Sequence, residues 1–343
     1  MTDPIQSIVS KYQKAVAGVD GQAVKRLTDS YLRSYQLIQA DAQALIEKAL
    51  REGVMSPSSL RKLTEYKRVM ADVRAELGRY GVVVDDVVAS AQAQAAEAGA
   101  KAGSQMILDM FPESAQASIQ AVLQRMPKEA VTAMVGALQE QSPLASKTLA
   151  RWGDMAAKSM GEQLVKGLTM GVGSRKTARE IMRSLDPILG MPLTKALTIA
   201  RTETNRAFRY ATRATYEANP HIVKDWVWMS AINSGPCLAC LAMHGTKHSM
   251  SESLDDHPNG RCTMAPIVPT FRELGLDVDE PIGDLPTGKQ VFDGMSEAEQ
   301  RAMMGNTRYE AYKAGKFAFE DMAQTNHSDE WGDSVGVKPL IDL

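Results

Sequence analysis

The chain has 343 residues, a formal net charge of −2 and an apolar content of 44%, with 20 methionines but only 6% aromatic residues. This length is sufficient for two domains with cores of their own, and the composition is typical of a helix-rich protein with an aliphatic core. No stretch approaches the roughly 18 apolar residues that a membrane span requires. The first residues also lack the charged start and apolar run of a secretion signal. We therefore expect neither a membrane protein nor a secreted one, and we expect assembly in a reducing cytoplasm.

Residues 1–170 predict an irregular helical lobe. Apolar residues recur at helical spacing through most of this half. Breaks between helices are expected at Asp20–Gly21, at Gly53–Pro57 and at Gly78–Gly81, because glycine and proline interrupt helices. The sequence does not indicate whether this lobe fills space or binds another protein.

A linker and two helices are predicted next. Gly171–Ser174 is the linker candidate, followed by helices at Lys176–Leu185 and Leu193–Ala218 with a break at Gly190–Pro192.

Arg201 and Glu203 flank the apolar stripe of the second helix on opposite sides. They cannot pair with each other, so each is expected to clamp a neighbouring element. A catalytic role for Glu203, for example as a general base, is the alternative. Nothing nearby supplies a nucleophile or a cofactor loop, and we expect no catalytic residue.

A small β lobe is predicted after this helix. Residues Ile222–Ser230 alternate well enough for a strand, and Thr263–Val268 predicts the strand that leaves the lobe. Trp226 and Trp228 are expected to anchor its core. The lobe is short enough that we expect a marginal core of its own, which a bound metal would offset.

The loop between these strands predicts a metal site. Cys237 and Cys240 can approach one cation from a single turn, and His257 and Cys262 can close the other side of a tetrahedron. Zinc accepts such a Cys3His set, and four protein ligands would leave it no open position. The predicted role of the metal is therefore structural, not catalytic.

Other interpretations of these cysteines remain open. They could be small buried residues without a metal. A thioredoxin-type redox pair would need a βαβ pattern, which is not visible, and an odd cysteine count argues against a disulfide framework. His244 and His248 have helical ligand spacing but stand in a Gly- and Ser-rich loop, so we leave them out of the predicted site.

Charge is distributed unevenly along the chain. Residues 151–220 carry a net charge of +6, whereas residues 273–343 carry −9. Such an asymmetry of charge is informative about surfaces that bind partners, more than about the fold. Both charged segments could also be ordinary solvent-exposed faces. The acidic tail predicts a helix starting at Ser296, another from Asn306 to Ala314, and an extended end from Val335 to Leu343.

The predicted fold class is α+β and predominantly α. It comprises a helical lobe (1–170), a zinc-stapled domain containing two helices and the β lobe (171–272), and an acidic C-terminal extension (273–343).

The motifs of the middle region resemble those of the Mu F-like minor head proteins of tailed bacteriophages. The resemblance spans roughly residues 170–270 and rests on Ala200–Glu203, Trp226 with Trp228, Cys237 with Cys240, Gly245, and His257–Cys262. Gly260 is a departure, since many relatives carry a further cysteine there. The four predicted ligands do not depend on that residue.

This resemblance implies a structural minor head protein that enters the particle during procapsid assembly. It implies location in the virion, in the head interior or at the portal vertex, and a role in head morphogenesis and in genome packaging or ejection. The implied partners are the portal protein, the major capsid or scaffolding protein, and packaged DNA through non-specific contacts.

Two other functions were considered. Some relatives are fused to maturation proteases or toxin domains, so a virion-associated enzyme is one alternative, but no hydrolase triad, HExxH motif or phosphate loop is present. A nucleic-acid-binding zinc lobe is the other. The residues between the predicted ligands are mostly apolar, and specific binding would need a concentrated basic face.

Overall fold

The computed structural model describes residues 4–54, 56–141, 145–169, 174–232, 235–273, 275 and 285–343. Residues 171–173 of the predicted linker Gly171–Ser174 lie outside the described residues, and Ser174 is the first residue of the helix that follows.

Helices dominate the described residues. The part of the chain that the structure describes forms eleven α-helices: α1 (Pro4–Arg51), α2 (Pro57–Lys62), α3 (Thr64–Asp109), α4 (Glu113–Val122), α5 (Lys128–Gln141), α6 (Ala145–Thr169), α7 (Ser174–Glu217), α8 (Leu238–Met243), α9 (Gly288–Asp293), α10 (Glu297–Met304) and α11 (Asn306–Lys313). None of the described helices is long and apolar enough to cross a membrane.

Two small antiparallel sheets accompany these helices. They are built from β1 (Asp225–Met229), β2 (Lys247–Ser249), β3 (Thr263–Ile267), β4 (Ala323–Ser328) and β5 (Gly332–Val337). The first sheet has the order β2-β1-β3, with Trp226 opposite both His248 and Pro266. The proline is tolerated because β3 is an edge strand. The second sheet is the β4–β5 hairpin.

Three predicted helix breaks are wrong. Asp20–Gly21, Gly78–Gly81 and Gly190–Pro192 lie within the long helices α1, α3 and α7, so the two predicted helices of the middle region are one. An interior glycine costs only about 1 kcal/mol and an interior proline about 3 kcal/mol relative to alanine. Burial of neighbouring turns outweighs such costs; Leu77 and Tyr80, for example, are buried beside Gly78.

Other predicted element ends are confirmed. Helix α1 ends just before the break predicted at Gly53–Pro57. The Ser56 side chain accepts a hydrogen bond from the backbone N–H of Ser59 at the start of α2. Ser296 forms a capping box with Glu299 at the start of α10. The strand predicted at Ile222–Ser230 is present as the shorter β1. The extended end predicted at Val335–Leu343 is confirmed only for its first residues, which belong to β5, whereas Leu340–Asp342 form a 3-10 helix.

Spatial clustering divides the chain into two compact units that interleave in sequence. Unit 1 contains residues 1–20, 91–141 and 201–343, and unit 2 contains residues 21–90 and 142–200. The long helices α1, α3 and α7 each contribute to both units. The three domains predicted from sequence character, with boundaries near residues 170 and 272, stay a prediction.

Unit 2 has an aliphatic core with a pair of aromatic side chains. Tyr31 and Tyr80 pack edge to face with ring centroids 5.2 Å apart. Around them, α1, α3 and α6 bury residues that include Leu27, Leu45, Val73, Leu77, Met160 and Leu164.

The sequence predicted that the β lobe has a marginal core of its own. In the structure, this lobe of unit 1 is not an independent body. Trp226 and Trp228 are 0% and 1% exposed. They belong to the same apolar cluster as Tyr12 of α1, Met106 of α3 and Phe208 of α7. Because Val227 and Met229 are buried too, β1 is covered on both faces. The sheet is therefore held by helices that are distant in sequence.

Glycine allows α3 and α7 to approach closely beneath this sheet. A Cβ atom added at Gly99 would lie 2.3 Å from the backbone oxygen of Phe208. The Thr212 hydroxyl group, 3.2 Å away, donates to the Gly99 carbonyl oxygen across the same crossing. This contact fixes the segment of α7 that faces the Cys/His loop.

Candidate metal centre

The first part of the site is the turn that starts α8. Cys237 is the N-cap residue of this helix, and its sulfur atom accepts the backbone N–H of Cys240 at 3.3 Å. One helical turn separates the two cysteines, so both side chains reach the same side of the helix start. Leu238 and Leu241 are buried, which orients α8 and thereby the two sulfur atoms.

The second part of the site is the turn from His257 to Cys262. The backbone N–H of Gly260 donates to the His257 carbonyl oxygen at 2.8 Å. Asn259 has a positive φ of 65°, a conformation that asparagine tolerates better than most residues. Its backbone N–H donates to the Thr202 hydroxyl group of α7 at 3.0 Å, which attaches the turn to the helix.

These two parts bring all four sequence-predicted ligands into one cluster. Cys237, Cys240 and His257 have potential ligand atoms within 4.8 Å of one another, and so do Cys240, Asp256 and Cys262. The Cys237 sulfur and His257 Nε2 are 3.3 Å apart. The cluster geometry could hold a metal ion. Since the four predicted ligands are spread over two overlapping groups, that exact set stays a prediction.

Asp256 is the member of the cluster that the sequence reasoning missed. Its side chain is fully buried. Oδ1 accepts the backbone N–H of His257 and Oδ2 that of Cys262, both at 2.9 Å. A Cβ atom at Gly260 would lie 2.1 Å from this carboxylate, so glycine leaves the space that Asp256 fills. Asp256 therefore fixes both ends of the closing turn.

Arg209 of α7 is the counter-ion of this carboxylate. Its Nη1 lies 3.4 Å from Asp256 Oδ2 and 3.4 Å from the Cys262 carbonyl oxygen. A buried carboxylate without such partners would be strongly destabilising. An acidic residue directly before a predicted ligand histidine was the available sequence signal, but an Asp-Asp pair in a polar loop resembles a solvated surface.

The pKa values of the thiol and imidazole groups in the cluster are shifted from their ordinary values. Hydrogen bonding from Cys240 and His257 lowers the pKa of Cys237 to about 4 despite burial. The same hydrogen bond to Cys237 raises the pKa of Cys240 far above the usual range of a thiol. The hydrogen bond with Cys237 raises the pKa of His257 to about 9. Burial raises the pKa of Cys262.

Metal affinity should therefore depend steeply on pH. Below pH 9, a cation must displace protons from both His257 and Cys240, whereas Cys237 is already a thiolate. With Cys237, Cys240 and His257 as ligands, two displaced protons correspond to about a 100-fold rise in apparent affinity per pH unit, and a Cys262 thiolate as fourth ligand would add a third proton. We expect this slope between pH 6 and pH 8, measured by competition with a chelator of known pH dependence. His257→Ala should reduce it to about tenfold, and an affinity independent of pH would contradict the arrangement.

The two histidines left out of the predicted site belong to neither group of candidate ligands. His244 is buried at the end of α8, where its Nδ1 accepts the backbone N–H of Ser230 at 3.1 Å. His248 lies on β2 and stacks on Trp226 with ring centroids 4.4 Å apart. Both side chains support the sheet.

The prediction that Arg201 and Glu203 contact separate elements is confirmed. Arg201 lies 3.6 Å from Asp20 of α1. Glu203 is fully buried, and Oε2 accepts from the Gln92 amide of α3 at 3.0 Å while Oε1 pairs with Arg206 at 3.4 Å. Both residues attach α7 to the other helices of unit 1.

The fold and the site together define a predominantly helical protein with a small antiparallel sheet and a buried Cys/His/Asp cluster. Residues 158–265 match the family model described as Phage Mu protein F like protein, which confirms the resemblance of this segment to that family. The match covers about a third of the chain and includes the whole cluster. No curated protein and no solved structure gave a match.

Proposed function

We propose that this chain is a structural minor head protein of a tailed phage, and that the Cys/His cluster binds zinc to hold the Mu F-like region in shape. The family suggests a phage head or morphogenesis protein. The observation that carries the proposal is that all of the cluster lies inside the matched segment. The protein would then reside in the virion, at the head interior or the portal vertex.

Zinc is the cation that best fits the donor set. Sulfur and imidazole donors favour zinc over magnesium or calcium, which prefer oxygen. Cys237, Cys240 and His257 would supply three ligands, with Cys262 as the fourth in the set predicted from sequence. Four protein ligands leave the cation no position for water or substrate. The metal would therefore stabilise structure, in keeping with a protein that has no enzymatic activity.

The cation would join two segments that the fold already places side by side. Cys237 and Cys240 lie at the start of α8, whereas His257 and Cys262 bound the turn before β3. Crosslinking these segments restricts the loop that includes β2. The binding energy of the metal would then contribute directly to the stability of the sheet.

The intramolecular ion pairs of the α7 arginines argue against specific nucleic-acid binding by this helix. Each of four arginines on the described C-terminal part of this helix lies within 4.0 Å of a carboxylate, in the pairs Arg201–Asp20, Arg206–Glu203, Arg209–Asp256 and Arg213–Glu217. A DNA interface needs arginine and lysine side chains that can reach phosphates. Contact with packaged DNA would thus be non-specific.

Association with the portal is the proposed partnership that can be measured directly. We expect the purified chain to co-sediment with the portal ring of the phage that encodes it at moderate salt, and purified particles to contain it in a fixed ratio to portal. The major capsid protein, assembled without portal, is the matched control. A chain absent from particles, or one that sediments alone beside intact portal rings, would contradict this function.

A further inference from the structure

Five donor residues surround a site that would hold four ligands. Cys240 belongs to both groups of candidate ligands, one with Cys237 and His257 and the other with Asp256 and Cys262. A tetrahedral zinc site uses only four of them. Either Asp256 or Cys262 therefore remains outside the coordination sphere.

Two distances from Asp256 Oδ1 match edges of a tetrahedron around zinc. Ordinary Zn–S, Zn–N and Zn–O bonds place neighbouring ligand atoms about 3.3–3.8 Å apart. Asp256 Oδ1 lies 3.5 Å from the Cys240 sulfur and 3.8 Å from His257 Nε2. The Cys237 sulfur and His257 Nε2 are 3.3 Å apart. These distances are three of the six edges that a tetrahedron of these four donors would have, and they link the donors in a chain.

The hydrogen bonds of Asp256 leave one position on Oδ1 for a cation. A carboxylate offers about four lone-pair directions over its two oxygen atoms. Oδ2 accepts the Cys262 backbone N–H and faces Arg209, while Oδ1 accepts only the His257 backbone N–H and the Cys240 thiol. Oδ1 therefore faces the Cys240 sulfur directly, and a cation bound between these two atoms would replace that contact.

Charge also favours the carboxylate over the third thiol. With Cys237 and Cys240 as thiolates and Asp256 as ligands, the Arg209 cation makes the zinc centre neutral. With a Cys262 thiolate as the fourth ligand, the centre would carry an additional negative charge and face the buried Asp256 carboxylate. Uncompensated buried charge is strongly unfavourable.

We propose that Asp256 Oδ1 is a direct metal ligand and completes a Cys237–Cys240–His257–Asp256 set, while Cys262 stays a protonated buried neighbour. This inference rests on the zinc centre proposed above. On binding, Cys240 and His257 release their protons to solvent, and the cation lies between the Cys240 sulfur and Asp256 Oδ1. Arg209 and the two backbone N–H groups hold the carboxylate in position, as the outer partners of metal ligands commonly do.

The thiolates that bind the metal can be counted in the full-length protein loaded with Co²⁺, which accepts the same ligands as zinc. The thiolate-to-cobalt charge-transfer absorbance per bound ion grows with the number of thiolates. We expect the charge-transfer absorbance per bound ion in the wild type to correspond to two thiolates. The same absorbance is expected in Cys262→Ala. Three thiolates in the wild type, falling to two in Cys262→Ala, would overturn the proposal.

Substitutions of Asp256 test whether its side chain binds the metal directly or only positions the turn. Asp256→Asn should weaken Co²⁺ binding by more than the 10–100-fold that loss of an outer partner typically causes. Asp256→Cys should restore binding and add the absorbance of a third thiolate. Asp255→Asn is the matched control, because its side chain accepts from Ser253 and belongs to neither group of candidate ligands.

The outcomes distinguish this inference from the zinc centre on which it rests. A wild type that binds neither Zn²⁺ nor Co²⁺ overturns both. A wild type that binds one ion with two thiolates, and whose affinity falls less than 100-fold in Asp256→Asn, keeps the centre but makes Asp256 a positioning residue. Three thiolates in the wild type would overturn the inference without any variant, so it can be refuted even if Asp256→Cys fails to fold.

Discussion

Replacing Cys240 by serine is expected to abolish metal binding and to lower the melting temperature by roughly 8–16 °C. Cys240 belongs to both groups of candidate ligands, so its loss leaves neither complete. Zinc present at about 1,000 times its Kd stabilises the folded state by about 4 kcal/mol. For a unit of about 150–250 residues, 1 kcal/mol corresponds to about 2–4 °C. Calorimetry with and without added zinc measures this shift.

The helical content of Cys240→Ser should remain close to that of the wild type. The sheet packs in a cluster with residues of α1, α3 and α7, so loss of the metal should loosen the loop between β1 and β3 without unfolding the helices. Chelator-treated wild type should reproduce the variant, and chelator should leave the variant unchanged. His327→Ala is a control for removal of an imidazole outside the cluster. Equal melting temperatures of wild type and Cys240→Ser in excess zinc would contradict a stabilising metal.

Replacing Gly288 by alanine is expected to destabilise the protein by about 3 kcal/mol or more. The added Cβ would lie 1.6 Å from the Leu241 backbone oxygen and 2.7 Å from its carbon atom. Neither backbone atom can rotate away, and the Gly288 N–H also donates to the His244 carbonyl oxygen at 2.9 Å. Overpacking of this kind costs about 1–3 kcal/mol, occasionally more. Chemical denaturation of the full chain measures the difference.

Gly294 at the end of the same helix is the matched control. A Cβ atom there would lie 3.5 Å from the backbone oxygens of Gln290 and Val291, which is an ordinary van der Waals distance. Its φ of −76° also suits alanine. We expect Gly294→Ala to be neutral or to stabilise by up to about 1 kcal/mol, since alanine restricts the unfolded chain. Similar losses in both variants would show that the contact between α8 and α9 does not limit stability.

The sequence allowed the cluster to be predicted because its signal is local. Cys237 and Cys240 lie one helical turn apart, and His257 and Cys262 bound one short turn, so each pair is brought together by a few residues. Asp256 was missed because its role depends on Arg209, which is 47 residues away. A buried ion pair between distant residues leaves no periodic pattern.

The integration of the β lobe could not be predicted for a similar reason. Two close tryptophans predict a buried anchor, which the structure confirms, but not what covers them. Phe208 and Met106 share their cluster only because α3 and α7 cross closely at Gly99. The uninterrupted helices were missed because glycine and proline were given more weight than the packing of the turns around them.

The metal content of the folded, full-length chain tests the central claim most directly. Native mass spectrometry of protein purified without chelator should show one zinc ion per chain. The mass of the metal-bound chain should be that of the metal-free chain plus zinc, less the protons that the ion displaces. A fully folded chain that contains no metal and takes up none when zinc is added would show that the cysteines are ordinary packing residues.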